Sequence, residues 1–205
     1  MKISILLPYK ENFSPLYPGA VSLFINDTTK VSKYKKIITI YGNTDHKKLF
    51  KLNYINIPLT NKILSSKSER YVKEFARIEK DYPSNLIEIH NRPNYLKFLI
   101  KTLKKRTYTI YFHNDPLTMT GSKSKNDRKF LLKNCYKIIF NSNWSKKRFL
   151  EGLDKNFVNS EKLLVVFQSA TKQKINFSKK QNLITFVGKL NRSKGYDVFG
   201  GAIVK

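Results

Sequence analysis

Short apolar runs recur along the whole chain, and Pro, Gly or Asn directly follows several of them. Most of these runs are apolar at consecutive positions, as in strands that are covered on both faces of a sheet. We therefore predict strands over residues 2–7, 37–41, 54–57, 86–89, 108–112, 136–140, 163–167 and 183–187. Parallel strands need crossover connections between them, which are usually helices.

Segments with helical patterning separate the runs. Residues 66–80 carry Tyr71, Phe75 and Ile78 between charged residues, which is the spacing of one apolar helix face. Further helices are predicted to begin near residues 19, 93, 125 and 143, the last of them capped by Asn141-Ser142. The alternation predicts an α/β fold, with a Rossmann-like open parallel sheet flanked by helices.

Residues 170–181 form a polar stretch, rich in Lys, Gln and Ser, that has the composition of a linker. The stretch lies where a first domain of common size should end. We therefore expect a Rossmann-like domain over residues 1–180 and the start of a second domain over residues 181–205.

Composition narrows the class of protein further. The chain is 40% apolar and 13% aromatic, which is enough to build a core. Its single cysteine, Cys135, excludes a disulfide framework and fits a reducing compartment. No apolar run approaches the roughly 20 residues of a membrane-spanning helix. We expect a soluble, cytoplasmic protein.

The formal charge of +26 raises the question of an anionic partner. Only 7 of the 40 basic residues are Arg, however, and Lys is a solvated point charge that does not make bidentate contacts to bases or phosphates. Together with 19 Asn, this enrichment fits a compositional bias of the source genome. Attraction to an anionic membrane surface stays open as an alternative, and nucleic acid is the least favoured partner.

Several motifs of nucleotide-, metal- and acyl-transfer enzymes are missing from the sequence. There is no G-x-G-x-x-G, and Gly201 stands where the spacing of Gly195 and Gly200 would require the Lys of a phosphate loop. There is no G-x-S-x-G elbow. Three His with one Cys argue against structural zinc, and no Asp-x-Asp pair offers ligands to magnesium. We expect no NAD, ATP-loop, esterase or metal site.

Three polar clusters follow predicted strands, at the edge where open parallel sheets bind ligands. The first is Pro18-Gly19-Ala20, where Gly19 lets the backbone approach a ligand and the following helix offers free N–H groups to an anion. The other two are His90, Asn91 and Arg92 after the fourth strand, and His113, Asn114 and Asp115 after the fifth. A helix-entry turn and structural histidines would explain each cluster taken alone. Because two of three histidines follow strands in the same way, we favour a binding cleft.

The segment 186–195 brings two cations towards one helix. A predicted strand ends at Gly188 and Lys189, and a short loop brings Lys194 in front of a helix that begins at Gly195. Two cations near a helix N-terminus suit a diphosphate. In a chain so rich in Lys, a charged surface loop is the alternative.

This segment resembles the start of the C-terminal domain of family-four, GT-B-fold glycosyltransferases, where an apolar strand precedes Gly, Arg and, a few residues later, Lys-Gly. The rest of the chain is similar in outline, with a Gly-containing loop after the first strand, a His at a strand end, and Asn141-Ser142 opening a helix with Arg148. The resemblance implies retaining, metal-independent sugar transfer from a nucleotide-sugar donor to a glycan or lipid-linked acceptor. The donor is a substrate, and no cofactor is implied.

The resemblance also implies roles for individual residues. Lys189 and Lys194 would neutralise the donor diphosphate, Gly19 would lie beside it, and His113 would face the reacting sugar. Lys189 stands where the family has Arg, and Pro18 precedes Gly19 where the family often has a second Gly, so both contacts depart from the pattern. The remaining candidates for the cleft are His90, Asn91, Arg92, Asn114 and Asp115.

The family has two domains of similar size, and the last glutamate here, Glu161, precedes the position of its acidic pair. We therefore expect an acceptor-side domain with a truncated start of the donor domain, inactive and weak in donor binding by itself. Its setting would be cell-surface glycan synthesis, such as that of lipopolysaccharide, at the inner membrane face. The alternative is a non-catalytic basic α/β module that binds anionic membrane or nucleic acid, and the helix over residues 143–150 would suit the membrane contact.

Overall fold

The described residues form an open sheet of seven parallel strands in the order β3-β2-β1-β4-β5-β6-β7. The computed structural model describes residues 1–59, 65–157, 160–169, 183–188, 190 and 192–204. The strands are β1 (Ile3–Leu6), β2 (Ile38–Gly42), β3 (Tyr54–Asn56), β4 (Leu86–His90), β5 (Thr107–Phe112), β6 (Lys137–Phe140) and β7 (Leu163–Val165). The helices are α1 (Ala20–Val31), α2 (Lys67–Asp81), α3 (Tyr95–Thr102), α4 (Lys125–Asn134), α5 (Asn143–Leu150) and α6 (Tyr196–Ile203). The predicted Rossmann-like open parallel sheet flanked by helices is confirmed.

The strand order reverses between β1 and β4, which are parallel, hydrogen-bonded neighbours with Leu6 aligned to Ile89. From this pair the chain builds β2 and β3 to one side and β5, β6 and β7 to the other. Open α/β sheets bind ligands beyond the carboxyl ends of the strands at such a reversal. A ligand site is therefore expected at the loops that follow β1, β4 and the neighbouring β5.

Alternate side chains of β1 enter two separate apolar clusters, one on each face of the sheet. Ile5 and Leu7 pack with Val21 and Ile25 of α1. Leu6, between them, belongs to the larger cluster that lies under α2, α3, α4 and α5. Because successive side chains of a strand point to opposite faces, α1 covers one face and the other four helices cover the opposite face.

The same alternation gives the α1 face of β4 and β5 a polar character. Five residues of these strands enter the larger cluster on the opposite face: Ile87, Ile89, Tyr108, Ile110 and Phe112. The intervening Glu88 and His90 of β4, and Tyr111 of β5 with His113 after it, therefore point to the face that carries α1. The ring of Phe24, on α1, contacts the rings of both Tyr111 and His113.

Serine side chains begin three of the helices. Ser66, Ser124 and Ser142 each accept a hydrogen bond from the backbone N–H three residues later, at the starts of α2, α4 and α5. Such caps satisfy N–H groups that have no partner inside the helix. The predicted cap of α5 at Ser142 is confirmed.

The chain groups into two compact units, Met1–Thr171 and Lys172–Lys205. Within the second unit, the strand predicted over residues 183–187 is wrong, since these residues form no strand and Leu183, Ile184 and Val187 are exposed. A strand needs a hydrogen-bonded neighbour, and the described part of this unit contains no other strand. The predicted linker and the boundary at residue 180 lie outside the described residues.

Candidate functional site

The backbone of His113 is held from both sides at the carboxyl end of β5. Its N–H donates to Asn91 Oδ1 (2.8 Å), and its carbonyl accepts from Asn141 Nδ2 (2.8 Å). Asn91 directly follows β4 and Asn141 directly follows β6, the two strands that flank β5. Asn91 has φ +52°, a left-handed conformation that asparagine tolerates better than most residues. Two strand-end amides thus fix the position of one histidine.

The side chain of His113 belongs to a continuous chain of hydrogen bonds along the α1 face. Glu88 Oε1 lies 2.7 Å from His90 Nε2, and His90 Nδ1 lies 2.8 Å from His113 Nε2. The amide nitrogen of Gln168, beyond β7, is hydrogen-bonded to His113 Nδ1. All four ring nitrogens of the two histidines therefore have a protein partner.

Aromatic rings enclose this chain. His113 stacks on Tyr111 with ring centroids 4.4 Å apart, and His90 stacks on Tyr111 from the neighbouring strand at 5.4 Å. The ring of Phe24 meets His113 edge-on. Burial, with a smaller effect from His90, lowers the pKa of His113 to about 2. His113 is therefore neutral at physiological pH and can offer one N–H and one lone pair.

The other strand-end candidates have structural partners. His90 is fully buried. Asp115 Oδ1 accepts from the N–H of Leu117, and its Oδ2 accepts from Nε (3.2 Å) and Nη2 (3.1 Å) of Arg148. Asp115 therefore fastens the loop after β5 to α5, while Asn114 beside it is exposed.

Arg92 lies in the turn directly after β4. Its Nη1 donates to the carbonyl of Asn91 (2.8 Å), and its positive charge lies close enough to Tyr95 to affect that hydroxyl. Tyr95 is buried, and burial raises the pKa of its hydroxyl despite the opposing effect of Arg92. Arg92 thus supports the turn in which Asn91 holds His113.

The N-terminus of α1, expected to receive a ligand anion, is occupied by a carboxylate of the chain itself. Glu11 Oε1 accepts from the backbone N–H (2.9 Å) and the hydroxyl (3.1 Å) of Ser22. A Cβ added at Gly19 would overlap the Glu11 carboxylate. Gly19 is extended, with φ −79°, so its requirement is space for Glu11 and not an unusual backbone angle. A phosphate could use this helix end only after Glu11 has left it.

The two lysines assigned to the diphosphate belong to the second unit. Lys189 lies outside the described residues. Lys194 is exposed in a single 3₁₀ turn, Arg192–Lys194, directly before Gly195, which has φ +71° and precedes α6. The diphosphate role of both lysines stays a prediction.

A polar cavity of about 320 Å³ opens at the carboxyl ends of the strands on the other side of the reversal. Tyr9 lies in the loop after β1, Asn43 and Asp45 follow β2, and Asn56 ends β3. Lys67, at the start of α2, also lines the cavity. Such a mixture of amide, carboxylate, hydroxyl and ammonium groups suits a ligand rich in hydroxyl groups.

Sequence reasoning missed three residues that complete the His113 site. Glu88 did carry a signal, because a carboxylate inside an apolar strand needs a buried partner. Gln168 and Phe24 carried none, because the first lies in a tail after β7 and the second shares a helix with many apolar residues.

Two further properties bear on the class of protein. Within the ranges given above, no group of three or more His, Cys, Asp or Glu side chains has an arrangement suited to a metal ion. The described helices include none that is long and apolar enough to cross a membrane.

The strand order and the parallel sheet define the class, an α/β domain with a Rossmann-like open sheet. No protein-family model matches the chain, and no curated protein sequence matches it. Among solved structures, the chain is similar to HepE from Anabaena in complex with UDP, with a TM-score of 0.56 and 16% identity over 83% of this chain. A UDP-N-acetylglucosamine 2-epimerase is less similar, with a TM-score of 0.49 and 9% identity over 80% of this chain.

The chain spans less than half of either protein, 44% of HepE and 48% of the epimerase. At 16% identity, the likeness to HepE concerns the fold. The observation made on this chain itself is the histidine pair at the carboxyl edge of the sheet.

Proposed function

We propose that this chain is the acceptor-side domain of a retaining glycosyltransferase that takes its sugar from a nucleotide-sugar donor. The observation that carries the proposal is His113, a neutral, backbone-clamped histidine beside the reversal of strand order. Its ring lies at the sheet edge where ligands of this fold class bind. The similar fold of HepE, solved with UDP, supports a nucleotide as part of the ligand.

In the proposed reaction, His113 contacts the sugar while negative charge develops on the departing diphosphate. Lys189 and Lys194 would stabilise that charge, as fixed cations do without reorganisation in the transition state. A metal-independent reaction is part of the proposal because these cations would take the place of a metal. Glu11 would have to leave the start of α1 if the diphosphate also used those N–H groups.

The acceptor would be a glycan or a lipid-linked sugar in cell-surface glycan synthesis, such as that of lipopolysaccharide. The polar cavity lined by Asn43, Asp45, Asn56 and Lys67 supports a hydroxyl-rich acceptor. It lies across the strand reversal from His113, at the same carboxyl edge of the sheet.

Ligand-observed NMR tests the proposal on the 205-residue chain itself. Saturation transferred from the protein to a panel of nucleotide sugars at millimolar concentration should reach the sugar-ring protons of at least one of them. His113→Ala should reduce that transfer, and a variant of the exposed Lys101, Lys101→Ala, should not. Absence of transfer to every nucleotide sugar, or equal transfer to the His113 variant, would contradict the proposal.

A second candidate function is contact with an anionic membrane surface, and a specific feature of α5 favours it. Trp144 is 58% exposed, and a shallow cavity of about 430 Å³ on the same helix is lined by Lys146, Lys147 and Leu150. Exposed Trp beside Lys suits the interface of a bilayer. Phe149, on the same helix, is fully buried in the core.

Vesicle sedimentation tests this second candidate. Lys146→Glu with Lys147→Glu should abolish binding to vesicles that contain anionic lipid, while Lys101→Glu with Lys104→Glu makes the same change of charge on another exposed surface. Arg148 is left unchanged because its guanidinium holds Asp115 and Glu151. Equal loss of binding in both variants would reject α5 as the contact and leave only non-specific attraction.

A further inference from the structure

At one end of the hydrogen-bond chain through His113, the donor and the acceptor cannot exchange roles. Each neutral imidazole supplies one N–H and one lone pair, so a row of imidazoles can point its hydrogen bonds either way. The amide of Gln168 also fits either direction, because it has both a donor and an acceptor. An ionised carboxylate only accepts, so Glu88 at the other end allows only one direction.

The direction follows from Glu88 step by step. With both imidazoles neutral, His90 Nε2 carries a proton and donates it to the Glu88 carboxylate, which leaves a lone pair on His90 Nδ1. His113 Nε2 must then carry a proton to donate to that lone pair. His113 Nδ1 keeps its own lone pair, to which the Gln168 amide donates.

We propose that Glu88 and His90 are positioning residues that hold His113 in the Nε2-protonated tautomer, so that Nδ1 presents a hydrogen-bond acceptor to the ligand. The Glu88 side chain is 22% exposed, which keeps its charge partly hydrated, whereas His90 is completely buried and has no solvent to exchange partners with. Stacking on Tyr111 limits rotation of both imidazoles. The hydrogen-bond chain is therefore rigid at Glu88 and His90.

Gln168 is the member of the hydrogen-bond chain that a ligand could replace. It is exposed, lies after the last strand and touches His113 through an N–H donor. A sugar hydroxyl is a donor of the same kind and could replace it on Nδ1. This part of the inference rests on the proposed function: the fixed tautomer would select a sugar that donates a hydroxyl proton at this point.

Nitrogen-15 NMR on histidine-labelled protein reads the tautomer directly. The chain has three histidines, so mutating each in turn assigns the spectrum. In the unmodified protein without ligand, we expect the proton of His113 on Nε2 and a bare Nδ1. A His113 protonated on Nδ1, or a His90 protonated on both nitrogens, would overturn the proposal without any variant.

Two variants test how the tautomer is set. Glu88→Gln supplies an amide that can donate or accept, and His90→Phe keeps the stacked ring but breaks the chain. Both should give a second set of His113 signals with the proton on Nδ1, of intensity comparable to the first. Tyr111→Phe, which removes only the hydroxyl bonded to the Val166 carbonyl, should keep the single set.

The outcomes separate this inference from the proposed function. A single His113 tautomer that persists in both folded variants would show that Glu88 does not set it, and would overturn the inference. If the tautomer behaves as expected and no nucleotide sugar transfers saturation, the proposed function fails while the positioning role stands.

Discussion

His90 Nδ1 and His113 Nε2 lie 2.8 Å apart, so two histidines from neighbouring strands share one hydrogen bond at the carboxyl edge of the sheet. The bond exists because β4 and β5 are in register, with His90 opposite Tyr111, the residue that precedes Phe112 and His113. Glu88, two residues before His90, points to the same face and completes the chain. Strand register thus brings Glu88, His90 and His113 together on one face of the sheet.

The depressed pKa of His113 makes stability depend on pH. An unfolded His113 takes up its proton near pH 6.5, whereas the folded one does not until about pH 2. The contribution of neutral, folded His113 to the free energy of unfolding is therefore fully present above pH 6.5. It is lost as the pH falls from there towards 2, by up to about 1.4 kcal/mol per pH unit.

We expect the free energy of unfolding of the unmodified protein to fall more steeply between pH 6.5 and 5 than that of His113→Phe. Urea unfolding of both proteins at each pH measures this, and the difference between them cancels the titration of carboxylates elsewhere. Parallel pH profiles would contradict a depressed pKa.

Asn91 has two separable roles, which two substitutions distinguish. Asn91→Gly keeps the left-handed backbone but removes the acceptor for the His113 N–H, while Asn91→Ala also strains the backbone. We expect both to destabilise the protein, with Ala worse than Gly by about 1 kcal/mol. Thermal and urea unfolding measure this difference. A more stable Asn91→Ala would show that the positive φ costs nothing here.

Much of the fold, and less of the site, could be predicted from the sequence. Consecutive apolar residues predicted the strands, since burial on both faces leaves that pattern. The positions of His90 and His113 directly after predicted strands made them candidates for the site. Residues 183–187 have the same pattern, but the described part of their unit contains no second strand to pair with, which no local pattern reveals. Glu11 and Gln168 reach the site from loops, where spacing carries little information about position.

The contact between Glu11 and the start of α1 predicts that two mutations do not add. Gly19→Ala should destabilise the protein by about 1 kcal/mol because the new methyl group displaces the carboxylate that caps Ser22. In a Glu11→Ala background the same change should cost less, since the carboxylate that the methyl group displaces is no longer there. A double-mutant cycle of urea unfolding measures the coupling. Additive effects would mean that Glu11 does not occupy this position in solution.

Glu79 anchors the opposite end of the sheet and should be far more sensitive than other acidic residues of α2. Its fully buried carboxylate accepts from the hydroxyl of Ser4 (2.7 Å) and from the N–H and hydroxyl of Ser84 (both 2.6 Å). Glu79→Ala leaves these donors unsatisfied, and we expect a loss of about 3 kcal/mol.

Glu69→Ala is the matched control for Glu79→Ala. It removes an exposed ion pair with Lys73 on the same helix and should cost less than about 1 kcal/mol. Urea unfolding compares the two variants, and equal losses would argue against a special role for the buried carboxylate.

The central claim is that His113 meets the sugar of a nucleotide sugar, and the nitrogen resonance of its Nδ1 tests that claim most directly. During titration with a nucleotide sugar, a hydroxyl should replace the Gln168 amide, so the Nδ1 resonance should shift progressively while His46 serves as an internal reference. The matching nucleoside diphosphate, which lacks the sugar, should leave Nδ1 unchanged. An Nδ1 resonance that no nucleotide sugar shifts at millimolar concentration would contradict the account.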